Sequence, residues 1–160
     1  MLDFNILFPS VLNGLTTGAI YALVALGLTL IYGVLHIINF AHGAALMMAL
    51  YVAYFLARAG VDPYLALPVV VLVMFVFGYA VQRLIINRSS HGRDENILLV
   101  TLGLSIVLEN LALLVFTSDT RTIDTAYTLS TVEIGRAFLS VPKVVAFVGA
   151  LVSCAVLYLV

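Results

Sequence analysis

FNILFPSVLNGLTTGAIYALVALGLTLIYGVLHIINFAHGAALMMALYVAYFLA, residues 4–57, contains no Asp, Glu, Lys or Arg. A helix needs about 20 apolar residues to cross the hydrocarbon core of a bilayer. The stretch is therefore long enough for two crossings, and the spacing predicts helices over 11–32 and 37–57. The most polar part of the run, Gly33-Val34-Leu35-His36-Ile37-Ile38-Asn39-Phe40-Ala41-His42-Gly43, falls at their junction. Arg58 and Asp62-Pro63 close the pair with a short loop.

The rest of the chain repeats the pattern. Further apolar spans are predicted over 64–86, 97–116 and 142–160, with Asn96 as a candidate cap for the fourth. The loop Asn87–Glu95 is charged and turn-rich, and residues 118–141 form the one extended polar region. Within it Thr131–Ile134 and Ala137–Val141 flank Gly135-Arg136, the pattern of a small β-hairpin. The fifth apolar run is still in progress at Val160, so residues 1–160 read as one transmembrane domain truncated at its C-terminal end.

Composition agrees with an all-α membrane protein, a polytopic bundle of about five spans with a small hairpin. The chain is 64% hydrophobic and 9% charged, with a mean hydropathy of +1.20. Soluble domains carry about 25% charged residues. A net charge of -1 gives no basic surface for nucleic acid. The single Cys154 makes neither an internal disulfide nor a zinc site. Asp3 stands where a cleavable signal carries its basic residues.

Three sets of residues stand out. Gly14, Gly18 and Ala22 recur every four residues on the first span, a stripe that lets another backbone approach closely. Asn39 and His42 lie three apart in the polar junction, and a helix break near Gly33 or Gly43 fits transporters that line their pathway with discontinuous helices. Local hydrogen bonds stabilising such a break are the plainer reading of the same residues. Thr101, Ser105 and Glu109 form a polar stripe on the fourth span. Lipid exposure is costly for all five polar residues, so both sets are expected to turn inward and line a substrate pathway. Metal or haem ligation by His36 and His42 is disfavoured: six residues place them about 240° apart on a helix. No catalytic set, cofactor motif or phosphate-binding Gly-rich loop is present, so an enzyme is not expected. A stand-alone channel or secondary transporter for a small polar solute is the alternative function.

The segments Asn13–Leu23, Gly27–Gly33, Ile38-Asn39-Phe40-Ala41-His42-Gly43 and Ile97–Ser105 together resemble branched-chain amino-acid ABC transporter permeases. The resemblance covers residues 12–160. One departure is visible, since Asn87-Arg88-Ser89-Ser90 stands where many members carry a basic Arg-Pro-Leu-Arg type segment. The resemblance implies a multi-pass subunit in the bacterial inner membrane, in contact with membrane lipid and forming part of the pathway for branched-chain or related amino acids. Its implied partners are a second permease subunit, two ATP-binding subunits and a periplasmic substrate-binding protein, with ATP hydrolysed on the partner chains. It also implies a cytoplasmic Arg83–Glu95 loop and a periplasmic 118–141 segment. The three arginines Arg83, Arg88 and Arg93 in that short loop point the same way. Cysteines placed at Ser90 and Thr128 are expected to react with a membrane-impermeant thiol reagent from opposite sides. Thr128→Cys should label in cells with a permeabilised outer membrane, and Ser90→Cys only after lysis; the reverse pattern inverts the topology.

Overall fold

The computed structural model describes residues 4–89, 94–123, 131–134 and 137–159. In chain order it contains α1 (Phe4–Leu35), α2 (His42–Arg58), α3 (Pro63–Val81), a π-helical segment (Gln82–Ile86), α4 (Asn87–Ser89), α5 (Asp94–Phe116), β1 (Thr131–Ile134), β2 (Ala137–Ser140) and α6 (Val141–Leu159). It is an all-α polytopic membrane protein with one small hairpin. Among the described residues, Leu7–Val34, Pro63–Ser89 and Glu95–Phe116 are long and apolar enough to cross a membrane. Two further apolar helices, His42–Arg58 and Val141–Leu157, are shorter.

The helices fall where the charge-free segments placed them, with shifted ends. Helix α1 begins at Phe4 rather than residue 11, with Pro9 inside it. As the sixth residue of α1, Pro9 removes an N–H that would bond to the carbonyl four residues earlier. Helix α2 starts at His42 instead of residue 37, because residues 36–41 are not helical. Helix α5 starts at Asp94, so Asn96 lies inside it and is not its cap. The hairpin pairs Thr131 with Ser140, Val132 with Leu139, Glu133 with Phe138 and Ile134 with Ala137. Its turn, Gly135-Arg136, lies outside the described residues.

The chain divides into two compact units, Met1–Leu30 with Asp124–Val160, and Ile31–Ile123. In the first, β2 runs directly into α6. There the Lys143 ammonium donates to Asn13 Oδ1 at 3.4 Å, and the Thr16 hydroxyl bonds back to Leu12 O at 3.0 Å. In the second, α2 packs on both α3 and α5. Its core is built from small side chains: Ala44 of α2, Ala66 of α3 and Ala112 of α5 are buried, beside Thr101, Ser105 and Leu108. In lipid, small residues let helices gain dispersion contacts that water exclusion does not supply. Large apolar side chains point away instead, among them Leu65, Val71, Phe75 and Leu114, the last 84% exposed.

The α2–α3 connection is tightly specified. Val61 N–H donates to Leu56 O at 3.1 Å and Gly60 N–H to Ala57 O at 3.0 Å, the paired bonds of a Schellman cap with Gly60 at φ +90°. Asp62 Oδ1 then accepts from Tyr64 N–H at 2.9 Å, and Pro63 occupies the first turn, so α3 starts at once. A side chain at Gly60 meets backbone strain, since space around it is open. Gly60→Val should therefore destabilise the full-length protein by about 1–3 kcal/mol, and Gly60→Asn by much less, read as unfolding midpoints in detergent.

Candidate functional site

The interruption between α1 and α2 begins at His36, whose φ of 55° leaves the right-handed helix. Its N–H still donates to Tyr32 O at 2.8 Å, ending α1 with a bonded turn. Three residues later the chain turns into α2. The Asn39 side-chain Oδ1 accepts from Ala41 N–H at 2.9 Å, and Asn39 O accepts from His42 N–H at 3.2 Å. The intervening Phe40 N–H has no local acceptor and bonds instead to Thr101 Oγ1 of α5, at 3.3 Å across 61 residues of sequence. The Thr101 hydroxyl donates its own hydrogen to Leu98 O at 3.1 Å and is 0% exposed. A residue that both donates and accepts can stitch a broken helix onto an intact one.

Beside this turn is a cavity of about 190 Å³, bounded by Asn39 and His42, the apolar Met74, Phe77 and Leu104, and Gln82. Gln82 opens the π-helical segment, where the Asn87 N–H reaches back to Gln82 O. Its side-chain Nε2 also donates to Asn87 Oδ1 at 3.0 Å. The wider turn rotates the following residues relative to a continuous α-helix, and such turns recur at functional sites. The wall is mainly apolar with a few polar groups, the composition of a site for a small amphipathic molecule. Among the described residues, no group of three His, Cys, Asp or Glu side chains is placed to hold a metal ion.

The structure brings together Asn39, His42 and Thr101, and places Ser105 one turn beyond Thr101 on the buried face of α5. Glu109 departs from the expected inward stripe. At 100° per residue, Ser105 lies 40° from Thr101 and Glu109 lies 80° away. The buried seam follows Leu108 and Ala112 instead, and Glu109 is exposed. Its carboxylate still accepts from the Ser105 hydroxyl at 3.0 Å. On α1, a Cβ at Gly14 or Gly18 meets nothing within 4 Å. Gln82 escaped the sequence reading because a single amide near a helix end has no periodic signal.

Residues 10–160 match the family model described as branched-chain amino acid transport system / permease component. The chain belongs to that family. Over 125 residues this chain is 35% identical to the high-affinity branched-chain amino acid transport system permease protein BraD of Pseudomonas aeruginosa, covering 71% of this chain and 40% of that protein. It is 29% identical over 117 residues to the permease protein LivH of the corresponding systems of Salmonella typhimurium and Escherichia coli K12, covering 68% of this chain and 38% of theirs. The chain thus spans about two fifths of the length of these curated relatives. No solved structure matches it.

The stitched turn can be tested directly. Thr101→Val keeps the side chain's shape but leaves the Phe40 N–H without its acceptor, which costs about 1–3 kcal/mol for a buried donor. The full-length permease carrying Thr101→Val should unfold earlier in detergent, and Thr101→Ser should restore most of the loss.

Proposed function

We propose that this chain forms part of the membrane pathway of a bacterial ABC importer for branched-chain amino acids. The observation that carries the reading is the cavity at the α1–α2 interruption, with the amide of Asn39, the imidazole of His42 and the amide of Gln82 set in apolar walls. An amino acid with a branched aliphatic side chain has the same division into polar and apolar halves. The names of the relatives, branched-chain amino acid transport permease proteins, supply the substrate class. In the bacterial inner membrane the assembled importer then comprises this permease, a second permease subunit, two ATP-binding subunits and a periplasmic substrate-binding protein. No bond of the substrate changes, and ATP hydrolysis takes place on the partner chains.

Within this reading Asn39, His42 and Gln82 contact the passing substrate. Thr101 holds the interrupted helix in place beside it, and Ser105, buried one turn further along α5, bonds Glu109. Glu109, on the outward side of α5, belongs to the pathway only as completed by the rest of the assembly, and Gly14, Gly18 and Ala22 offer α1 for close packing there. The cavity groups are neutral amides and an imidazole, which suits passage rather than retention, since tight binding would slow release.

Uptake of labelled leucine by the complete importer in proteoliposomes tests the assignment. His42→Leu and Gln82→Leu should each lower the initial rate about tenfold or more, equivalent to about 1.4 kcal/mol, while subunit assembly and binding-protein docking stay intact. Asn39→Leu should lower both rate and thermal stability, because Asn39 also holds the Ala41 N–H. Unchanged uptake in both His42→Leu and Gln82→Leu removes the cavity from the pathway.

A further inference from the structure

At the other end of the α2–α5 seam is a second cavity, of about 200 Å³, lined by Met47, Leu50, Tyr51 and Tyr54 of α2 and by Asp119 and Arg121 from the segment after α5. Its geometry is set by the end of α5. Thr117 takes a φ of 62°, unusual for a β-branched residue, and its N–H closes the helix on Leu113 O at 3.0 Å. The reversal throws the chain back over α2. The Thr117 hydroxyl lies 2.8 Å from Asp119 Oδ2 and fixes that carboxylate. Arg121 donates through Nη2 to Phe116 O at 2.7 Å, and its guanidinium carbon sits 5.5 Å from the centre of the Tyr54 ring. Phe116 stacks on Tyr51 with ring centres 4.2 Å apart, anchoring the end of α5 to α2.

Two features mark this place. Arg121 Nε is buried and has no hydrogen-bond partner, although a buried guanidinium donor without an acceptor is costly. Asp119 and Arg121 line the same cavity with opposite charges, yet no ion pair joins them. Each is held by a separate local bond, so the carboxylate and the guanidinium stay apart across a small space floored by Met47 and Leu50. A free α-amino acid carries its ammonium and carboxylate groups on one carbon, with its side chain alongside.

We infer that this cavity is a capture site for the zwitterionic head of a free α-amino acid, the carboxylate meeting Arg121 and the ammonium meeting Asp119. The inference rests on the proposed transport of branched-chain amino acids and deepens it. Met47 and Leu50 take the aliphatic side chain, and the carboxylate meets the part of the Arg121 guanidinium that lines the cavity. Charge-assisted bonds of this kind are about twice as strong as neutral ones. The site selects amino acids by their head and passes them towards the cavity at Asn39 and His42. Tyr51 is nine residues beyond His42, about 14 Å along α2.

The test is equilibrium binding of labelled leucine to the complete transporter in lipid nanodiscs, without its binding protein. The competitors are 4-methylpentanoate, which lacks the ammonium, and 3-methylbutylamine, which lacks the carboxylate. Asp119→Asn should weaken leucine about tenfold, equivalent to about 1.4 kcal/mol, and leave 4-methylpentanoate unchanged. Arg121→Gln should weaken leucine by a similar factor and leave 3-methylbutylamine unchanged. Because Arg121 also caps α5, a failure of Arg121→Gln to assemble leaves Asp119→Asn to decide, since an amide still accepts from Thr117. Absence of saturable leucine binding to the parent, or equal leucine affinity in the parent and Asp119→Asn, overturns the inference. So does a loss confined to binding-protein docking, which makes the patch a protein contact instead. A parent that imports no branched-chain amino acid sinks the transport reading separately.

Discussion

A backbone N–H surrounded by hydrocarbon must find its acceptor inside the protein, and this requirement bears hardest on residues 36–41. A continuous helix satisfies it automatically; an interrupted one does not. Here Tyr32 O serves His36, the Asn39 side chain serves Ala41, and Thr101 Oγ1 serves Phe40. The last of these reaches another helix. It fixes where α5 stands relative to the turn, and the fully buried Thr101 leaves no room for a register shift. The polar cavity exists because the turn is held open beside α5 and not collapsed into a longer helix.

From that point the direction of the unit follows. Phe40 meets Thr101, and further along Tyr51 and Phe55 meet Phe116. Helices α2 and α5 therefore run parallel, as even-numbered crossings of one membrane must. Helix α3 returns antiparallel between their ends, bringing Gln82 back to His42. The two polar cavities consequently lie at opposite ends of one seam, each beside α2, with buried alanines between them. Neutral amides and an imidazole mark one end and a separated pair of charges the other. That gradient suits a solute that arrives charged from water and travels through a less polar interior.

Much of the fold was legible because charge is expensive in a bilayer. The gaps between charged residues located every long helix, and the Gly-X pattern at Gly135-Arg136 located both strands to within a residue. Helix ends were less legible, since they depend on backbone partners such as the Asn39 side chain that spacing does not reveal. The inward assignment of Asn39, His42, Thr101 and Ser105 rested on desolvation, and each of these side chains is at least partly buried. Glu109 lies off that buried seam in this chain. A four-residue spacing drifts by 40° per step from a 3.6-residue helix, and two steps carried the carboxylate off the seam. The π-helical segment has no sequence signal at all, so the amide it places in the cavity escaped notice. Asp119 and Arg121 belong to the polar 118–141 segment, and only the reversal at Thr117 turns them over α2.

The short link between α2 and α3 has a consequence for how the protein is made. At 17 residues α2 is about 25 Å long, shorter than the roughly 30 Å hydrocarbon core, and so anchors itself weakly if inserted alone. Its far end, however, is closed by the Gly60 cap and passes through Asp62 directly into the far more apolar α3. Within the bend, Phe55 O, Leu56 O, Ala57 O and Asp62 O already have partners from neighbouring residues. The two helices can thus leave the insertion machinery as a preformed hairpin, α3 supplying the partition energy that α2 lacks. The interrupted turn at residues 36–41 cannot be completed until α5 has been synthesised, which makes its closure over Thr101 a late event in membrane assembly.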